Sequence, residues 1–440
     1  MFVVDRHHRP LMPCTPTRAR MLLDRGRAVV HRHTPFVIRL KDRTADTSEV
    51  GGVEIGIDPG SKSTGIAVFR TSMTPGGRAR HGLFALELGH RGGQIRDRLS
   101  SRATQRRGRR SRNLRYRAPR FDNRTRQAGW LPPSLQHRVD TTASWTDRLM
   151  RWAPVRIIHV ERVAFDTRAM AVGKPLSEAE YQHGTLSGTE IREYLLAKWR
   201  HSCAYCGATG VPLNIDHIHP RSQGGSNRIA NLAIACVTCN QKKSNQSVAV
   251  FLKRKPALLT KILAQAKESL RDAAAMNATR DALVQALESI HPDVRMSSGG
   301  RTKWNRQRTR TPKTHTLDAL CVGVLDVIFT HPHTILSVTA TGRGTYRRTA
   351  PDRYGFPRLT MPRVKQHFGY STGDLVRASI PKGKNQGSHT GRVAVRASGR
   401  FNIKTRHGLI QGVAHNYVRL LQRSDGYAYT TRSEGALHAR

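Results

Sequence analysis

The sequence predicts an α/β protein of several domains, and three observations lead there. Its 440 residues, 38% of them hydrophobic, are enough to build two to four separate cores. Runs of alternating apolar residues, which suit half-buried strands, are interrupted by segments with helical spacing. Four of the six cysteines form two C-x2-C pairs that set apart a metal-organised segment.

The first 46 residues read as a small β-α-β unit. FVVD is a strand, and TRARMLLDRG is a helix with Thr15 as N-cap, Pro16 at the first helical position and Gly26 after the last turn. AVVH and PFVIRL add strands. VEIGIDPGSKSTGIAVF then gives a strand ending in Asp58, a turn and a second strand, with LFALEL as a third, in an antiparallel meander. VRIIHVERVAF is a short buried strand ending near Glu161. The long segment from VAVFLKRKP to ALVQALESI has apolar residues at three- and four-residue steps and reads as helical hairpins. SSGGRTKWNRQRTRTPK reads as a Gly/Arg loop, and THTLDALCVGVLDVIF as an apolar helix. Beyond about residue 340, short strands punctuated by glycine predict a β-barrel-like tail.

Charge narrows the function. Lys and Arg number 75 against 30 Asp and Glu, a net +45. Residues 91–126 alone hold fourteen arginines and two aspartates, and +33 remains on the rest of the chain. A fold so self-repelling calls for a polyanionic partner, and nucleic acid is the obvious one. Aromatics are 6%, so phosphate and shape contacts should outweigh stacking. No apolar run suits a signal peptide or a membrane span, which predicts a soluble, cytoplasmic protein without a membrane partner. Arg98, Arg102, Arg106 and Arg110 repeat at i, i+4, a helix polar on every face that needs anions around it, and Arg109 joins them. A disordered basic linker or a localisation signal has the same composition.

Cys203, Cys206, Cys236 and Cys239 offer four thiolates for a structural Zn²⁺, and alone they read as a zinc ribbon with an unusually long spacer. Between and beside them stand Asp216-His217 and Asn240. A phosphodiester-cleaving site needs a base to activate water and a hard cation: His217 suits the first role, and Asp216 with Asn240 suits Mg²⁺. Far apart in sequence, Asp58, Glu161, His315 and Asp318 also sit at element ends. If the strands carrying Asp58 and Glu161 are neighbours, three carboxylates converge with Asp318, and a pair of Mg²⁺ ions ~4 Å apart would serve in-line hydrolysis.

The DH, NL and CN pairs around the cysteine knuckles resemble the HNH (ββα-metal) endonuclease domain. Asp58, Glu161, His315 and Asp318 resemble the site of a split RuvC-type, RNase H-like nuclease, with the HNH segment inserted between its second and third parts. An Arg-rich bridge helix after the first part, PLMP at Pro10 to Pro13 and the modest length are similar to the IscB family, compact transposon-encoded relatives of the CRISPR effector nucleases. The resemblance implies residues 1–46 as a PLMP-type domain, 47–90, 128–176 and 251–335 as RuvC-like parts, 91–127 as the bridge, 177–250 as the HNH domain, and 336–440 as an interaction region. It implies an RNA-guided endonuclease acting on double-stranded DNA as a monomeric ribonucleoprotein with a guide ωRNA, its HNH site cutting the RNA-paired strand and its RuvC-like site the displaced one. An unguided resolvase or homing nuclease would use the same two sites but leave the arginine helix without a defined partner. An RNA-packaging protein would explain the charge and neither site.

Overall fold

The structure, a computed structural model, describes residues 1–111, 129–162, 192, 195–196, 198–199, 201–226, 228–266, 271–342, 349–353, 356–360 and 364–434. The chain divides into two compact units, one formed by 1–161, 283–297 and 301–440, the other by 162–282 with 298–300.

The first unit opens with strands β1 (Phe2–Val4) and β2 (Pro10–Leu11), helix α1 (Pro16–Asp24), and strands β3 (Ala28–Arg32) and β4 (Val37–Leu40). They form a sheet of order β2-β1-β4-β3 in which β1 and β4 run parallel, as a β-α-β unit requires. The Thr15 hydroxyl accepts the Arg18 N–H at 3.3 Å, and the helix is left through Gly26 at φ 68°.

The larger sheet begins with β5 (Val53–Asp58), β6 (Ser63–Thr74) and β7 (Gly77–Gly89), paired antiparallel in sequence. The β5 and β6 positions Ile55, Ile57, Ile66 and Val68 are fully buried. Helices α2 (Gly92–Ser111) and α3 (Pro133–Met150) lead to β8 (Val155–Glu161), which lies parallel beside β5. Such a parallel neighbour needs a long crossover, and the helices supply it.

The second unit is built on the hairpin β9 (Leu213–His217) and β10 (Leu232–Cys236), followed by α4 (Val237–Lys243), α5 (Val248–Phe251) and α6 (Pro256–Ala266), and the helix α7 (Arg271–Glu288) begins in it and passes to the first unit at residue 283. Trp199, Ile218, Leu232, Ile234, Val248 and Ile262 make its core.

The chain then rejoins the large sheet. β11 (Val294–Ser297) pairs parallel with β8, α8 (Gly299–Arg308) and α9 (His315–Cys321) follow, and β12 (Val327–Thr330) and β13 (Thr334–Ala340) run parallel to β7. Two short pairs, β14 (Thr349–Pro351) with β15 (Pro357–Thr360) and β16 (Gln366–His367) with β17 (Tyr370–Ser371), precede β18 (Leu375–Ile380), β19 (Gly387–Ala394), β20 (Arg400–Thr405), β21 (Leu409–Ala414) and β22 (Val418–Gln422). The last strand, β23 (Tyr427–Ser433), pairs antiparallel with β13 and completes a sheet of order β11-β8-β5-β6-β7-β13-β23, with β12 also on β7.

Several expectations need correction. The Gly/Arg loop expected over 297–313 instead holds the helix α8, fixed because Thr302 and Asn305 are buried one turn apart and the Asn305 amide donates to the Cys321 and Gly323 carbonyls at 2.8 and 2.7 Å. The apolar helix expected over 314–329 stops at Cys321: Gly323 takes φ 92°, and Val327–Thr330 becomes a strand. The span 251–335 does not act as one part of the core, because α6 buries Ile262 and Ala266 in the second unit. Nor is 336–440 one region, since β13 and β23 belong to the large sheet. The expected barrel is a five-stranded antiparallel sheet running from β21 to β22, cored by Val376, Val393, Phe401 and Ile403. Residues 112–127 of the expected bridge, 163–176 of the expected second RuvC-like part and 177–191 of the expected HNH domain lie outside the described residues.

Candidate active sites

Asp58 ends β5 and Glu161 ends β8; the two strands are parallel with Ile57 opposite Val160, so the carboxylates follow side by side. Across this corner lies α9, capped by the Thr314 hydroxyl, which accepts the Leu317 N–H at 3.1 Å. Two glycines let it come down onto the strands. A Cβ at Gly56 would stand 1.9 Å from the Ala319 carbonyl oxygen, and one at Gly65 would stand 1.8 Å from that of His315. The backbone contact puts the first turn of α9 over Asp58. His315 Nδ1 lies 2.5 Å from Asp58 Oδ2, and Asp318, on the same face, is 8% exposed.

All four residues expected in this site are thereby brought together, and the structure adds partners. The Arg306 guanidinium of α8 reaches both Asp318 oxygens, at 2.9 and 3.1 Å, and Thr302 of the same helix hydrogen-bonds Glu161. No sequence signal distinguishes Arg306 from the other arginines of its run, because its role depends on a helix where a loop was expected.

Electrostatics follow from crowding. Burial, then the charge of Asp58, push the Glu161 carboxyl up to about 8, with Asp318 adding to the effect and Thr302 opposing it. Burial and Asp58 likewise raise Asp318 to about 6 against the pull of Arg306. His315 loses charge stability through burial but gains more from its bond to Asp58, which lifts it to about 9 and keeps it an imidazolium at neutral pH. A buried acidic trio in which two carboxyls, Glu161 and Asp318, are pushed up by burial and crowding fits hard divalent cations, and Asp58, Glu161 and Asp318 would hold them. Bound there, such ions supply Lewis-acid stabilisation of a phosphodiester's oxygens.

In the second unit the four cysteine sulfurs all lie within 4.8 Å of one another, and none is in a disulfide. Cys206 and Cys236 Sγ are 3.8 Å apart. Four sulfurs about 2.3 Å from a central zinc would be separated by roughly that distance at the corners of a tetrahedron, so donor type and spacing both fit zinc. Burial works against the Cys203 thiolate, but backbone N–H groups of Cys236, Cys206 and Tyr205 outweigh it and bring the thiol down to about 7.

The knuckles hold the ends of the hairpin that carries Asp216 and His217, while Asn240 sits on α4 one residue after Cys239. Asn231 braces the intervening loop, accepting the His219 N–H at 2.8 Å and donating to the carbonyls of His219 and Ser226. Asp216 is buried, with Oδ2 accepting from the Tyr205 hydroxyl and Oδ1 from Lys243 Nζ at 3.1 Å; Lys243, fully buried, also donates to the His217 carbonyl at 2.8 Å. A cation held by Asp216 and Asn240 would have to use the lone pairs that the bonds to Tyr205 and Lys243 leave on the carboxylate. Lys243 and Tyr205 were missed by sequence reasoning, although Lys243 stands one turn after Asn240 on a helix, a spacing that puts both on the same face.

Helix α2 carries the third group of expected residues. From Arg96 onward its described side chains are exposed, Arg98, Arg102 and Arg106 among them. Arg109 and Arg110 lie in the helix, with side chains outside the described residues.

Residues 1–184 match the family model described as RRXRR protein, and residues 203–246 match HNH endonuclease. Arg106, Arg107, Gly108, Arg109 and Arg110 spell the first pattern. Over 145 residues the chain is 30% identical to the CRISPR-associated endonuclease Cas9 of Corynebacterium diphtheriae, covering 28% of this chain and 13% of that protein. Among solved structures, the Type II-C Cas9 enzyme from Actinomyces naeslundii aligns at 16% identity and TM-score 0.17, over 44% of this chain and 29% of that one. Streptococcus thermophilus Cas9 in complex with the AGAA PAM aligns at 15% identity and TM-score 0.21, over 60% and 32%. The chain thus spans about an eighth of the curated relative and about a third of these structures. The sequence matches support a nuclease with an HNH endonuclease segment at residues 203–246, similar in part to a Cas9 endonuclease.

Proposed function

We propose that this chain is an RNA-guided endonuclease of double-stranded DNA, of the IscB type, working as a monomeric ribonucleoprotein with an ωRNA guide in a prokaryotic cytoplasm. The observation that carries the reading is the meeting of Asp58, Glu161, His315 and Asp318 at one corner of a sheet, in a chain that also holds a cysteine-framed Asp216-His217-Asn240 segment. The order β7-β6-β5-β8, three antiparallel strands and then a parallel one, supports an RNase H-like core. In this reading 1–46 is the PLMP-type domain, α2 is the bridge, and the sheet β18–β22 lies in the region that contacts RNA or reads a short target-adjacent motif.

Two sites divide the work. Asp58, Glu161 and Asp318 hold Mg²⁺ for the displaced strand, with His315 beside the attacking or leaving oxygen. His217 takes a proton from water at the other site, where Asp216 and Asn240 hold Mg²⁺, and the RNA-paired strand is cut. The four cysteines hold zinc, and Arg98, Arg102, Arg106, Arg109 and Arg110 lie along guide and heteroduplex phosphates.

The test begins with purification. A structured RNA should copurify in stoichiometric amount, and DNA cleavage should follow a reprogrammed guide segment. Cleavage of equal efficiency after digestion of the RNA would replace the proposal with an unguided resolvase or homing nuclease.

A further inference from the structure

Helix α8 has two different faces. Thr302, Asn305 and Arg306 turn into the fold, where Arg306 grips Asp318. The opposite stripe is Arg301, Trp304 and Arg308, three and four residues apart. Trp304 is 46% exposed, a costly position for a large apolar ring. The Arg308 guanidinium lies 4.2 Å from the indole centroid and that of Arg301 lies 4.6 Å from it. Arg308 is itself anchored, to Asp326 at 3.1 Å and to the Leu325 carbonyl, so the ring is held out on a fixed support. A protein partner docking on Trp304 would need apolar surface around it, and its neighbours on the stripe are arginines. Both guanidiniums lie over the half-exposed indole, and Arg308 is fixed there by its ion pair, so a base that displaces Arg301 from the ring leaves that cation for a phosphate, in a chain of net +45.

We propose that Arg301, Trp304 and Arg308 form a stacking platform for single-stranded nucleic acid, in which Arg308 supports the indole, one base takes the place of the Arg301 guanidinium over the ring, and Arg301 turns to a flanking phosphate. Only the identity of the occupant rests on the function proposed above. The other face of α8 holds Asp318, so a DNA strand entering that site is the expected guest.

The test uses the full-length protein and two labelled probes, oligo(dT) and oligo(U), titrated over a range of salt. Trp304→Ala should weaken binding of at least one probe roughly tenfold or more, the loss of one stacked base, and Trp304→Phe should retain most of it. Stacking releases no counterions, so the Trp304→Ala line should shift without changing slope, whereas Arg301→Ala should flatten it. Greater loss with oligo(dT) assigns the platform to DNA, and greater loss with oligo(U) assigns it to the guide. Unchanged affinity for both probes in Trp304→Ala would overturn the platform, as would equal losses in the Ala and Phe variants accompanied by a lowered melting temperature. Because binding is read without cleavage, the platform can stand where guide dependence fails, and the reverse.

Discussion

Glu161 and His315 tie the carboxylate site to pH in the same direction. Glu161 keeps its proton up to about 8 in the fold, against an ordinary value of 4.5, so the folded chain binds more protons than the unfolded one between those limits. His315, raised from 6.5 to about 9, contributes stability that is complete below 6.5 and lost as pH rises through 9. In zinc-loaded, magnesium-free protein, the melting temperature should therefore change between pH 5 and pH 8 more unfavourably in the native chain than in Glu161→Gln, because buried histidines such as His90, which favour the higher pH, act equally in both. Equal pH dependence in the two proteins would show that the acids are not crowded. The sequence made Asp58, Glu161, His315 and Asp318 readable because each stands at the end of an element that local pattern reveals. It hid Arg306 and Lys243, whose meaning lies in long-range contacts with Asp318 and Asp216 that no local spacing encodes.

Among elements, α9 shows how a short helix is aimed. Its backbone rests directly on Gly56 and Gly65, so a single methyl group at either position must lift it. Gly65→Ala is expected to cost about 1–3 kcal/mol by overpacking, seen in chemical denaturation, and to reduce only the cut that depends on Asp318. Unimpaired stability would mean that α9 can shift freely. The hairpin β9–β10 depends on its knuckles instead. Stripping zinc should expose residues 203–240 to protease and hydrogen exchange, since the metal supplies much of so small a segment's folding energy. Persistent protection would reduce the cysteines to packing. Helix α2 was legible as a helix from its i, i+4 arginines, whereas α8 was not: its two leading glycines and four arginines and lysines resemble a loop until its buried side is seen. Replacing Arg102 and Arg106 by Ala should lower the salt slope of RNA binding by about 0.7–0.9 for each phosphate left unneutralised, and an unchanged slope would free α2 of that role.

For the molecule as a whole, charge and topology argue together. With +45 to neutralise, the chain is built for a polyanion, and its exposed arginine helix leads out of the sheet that gathers the carboxylates. That sheet is assembled from distant parts: β5 to β7 from the first quarter, β8 from the second, β11 to β13 after the second unit, and β23 from the last residues described. Sequence pattern identified most of these strands singly. It also gave the antiparallel pairing of β5, β6 and β7, but pairing between strands far apart in sequence was beyond it, which is why β23 was assigned to the tail although it closes on β13.

The central claim is that two hydrolytic sites serve one duplex, and strand-resolved cleavage by single variants tests it most directly. With the copurified RNA and a matched target labelled on both strands, Asp58→Ala should nick only the RNA-paired strand and His217→Ala only the displaced strand. Loss of both cuts from either single change, in protein that still binds RNA and target, would contradict it.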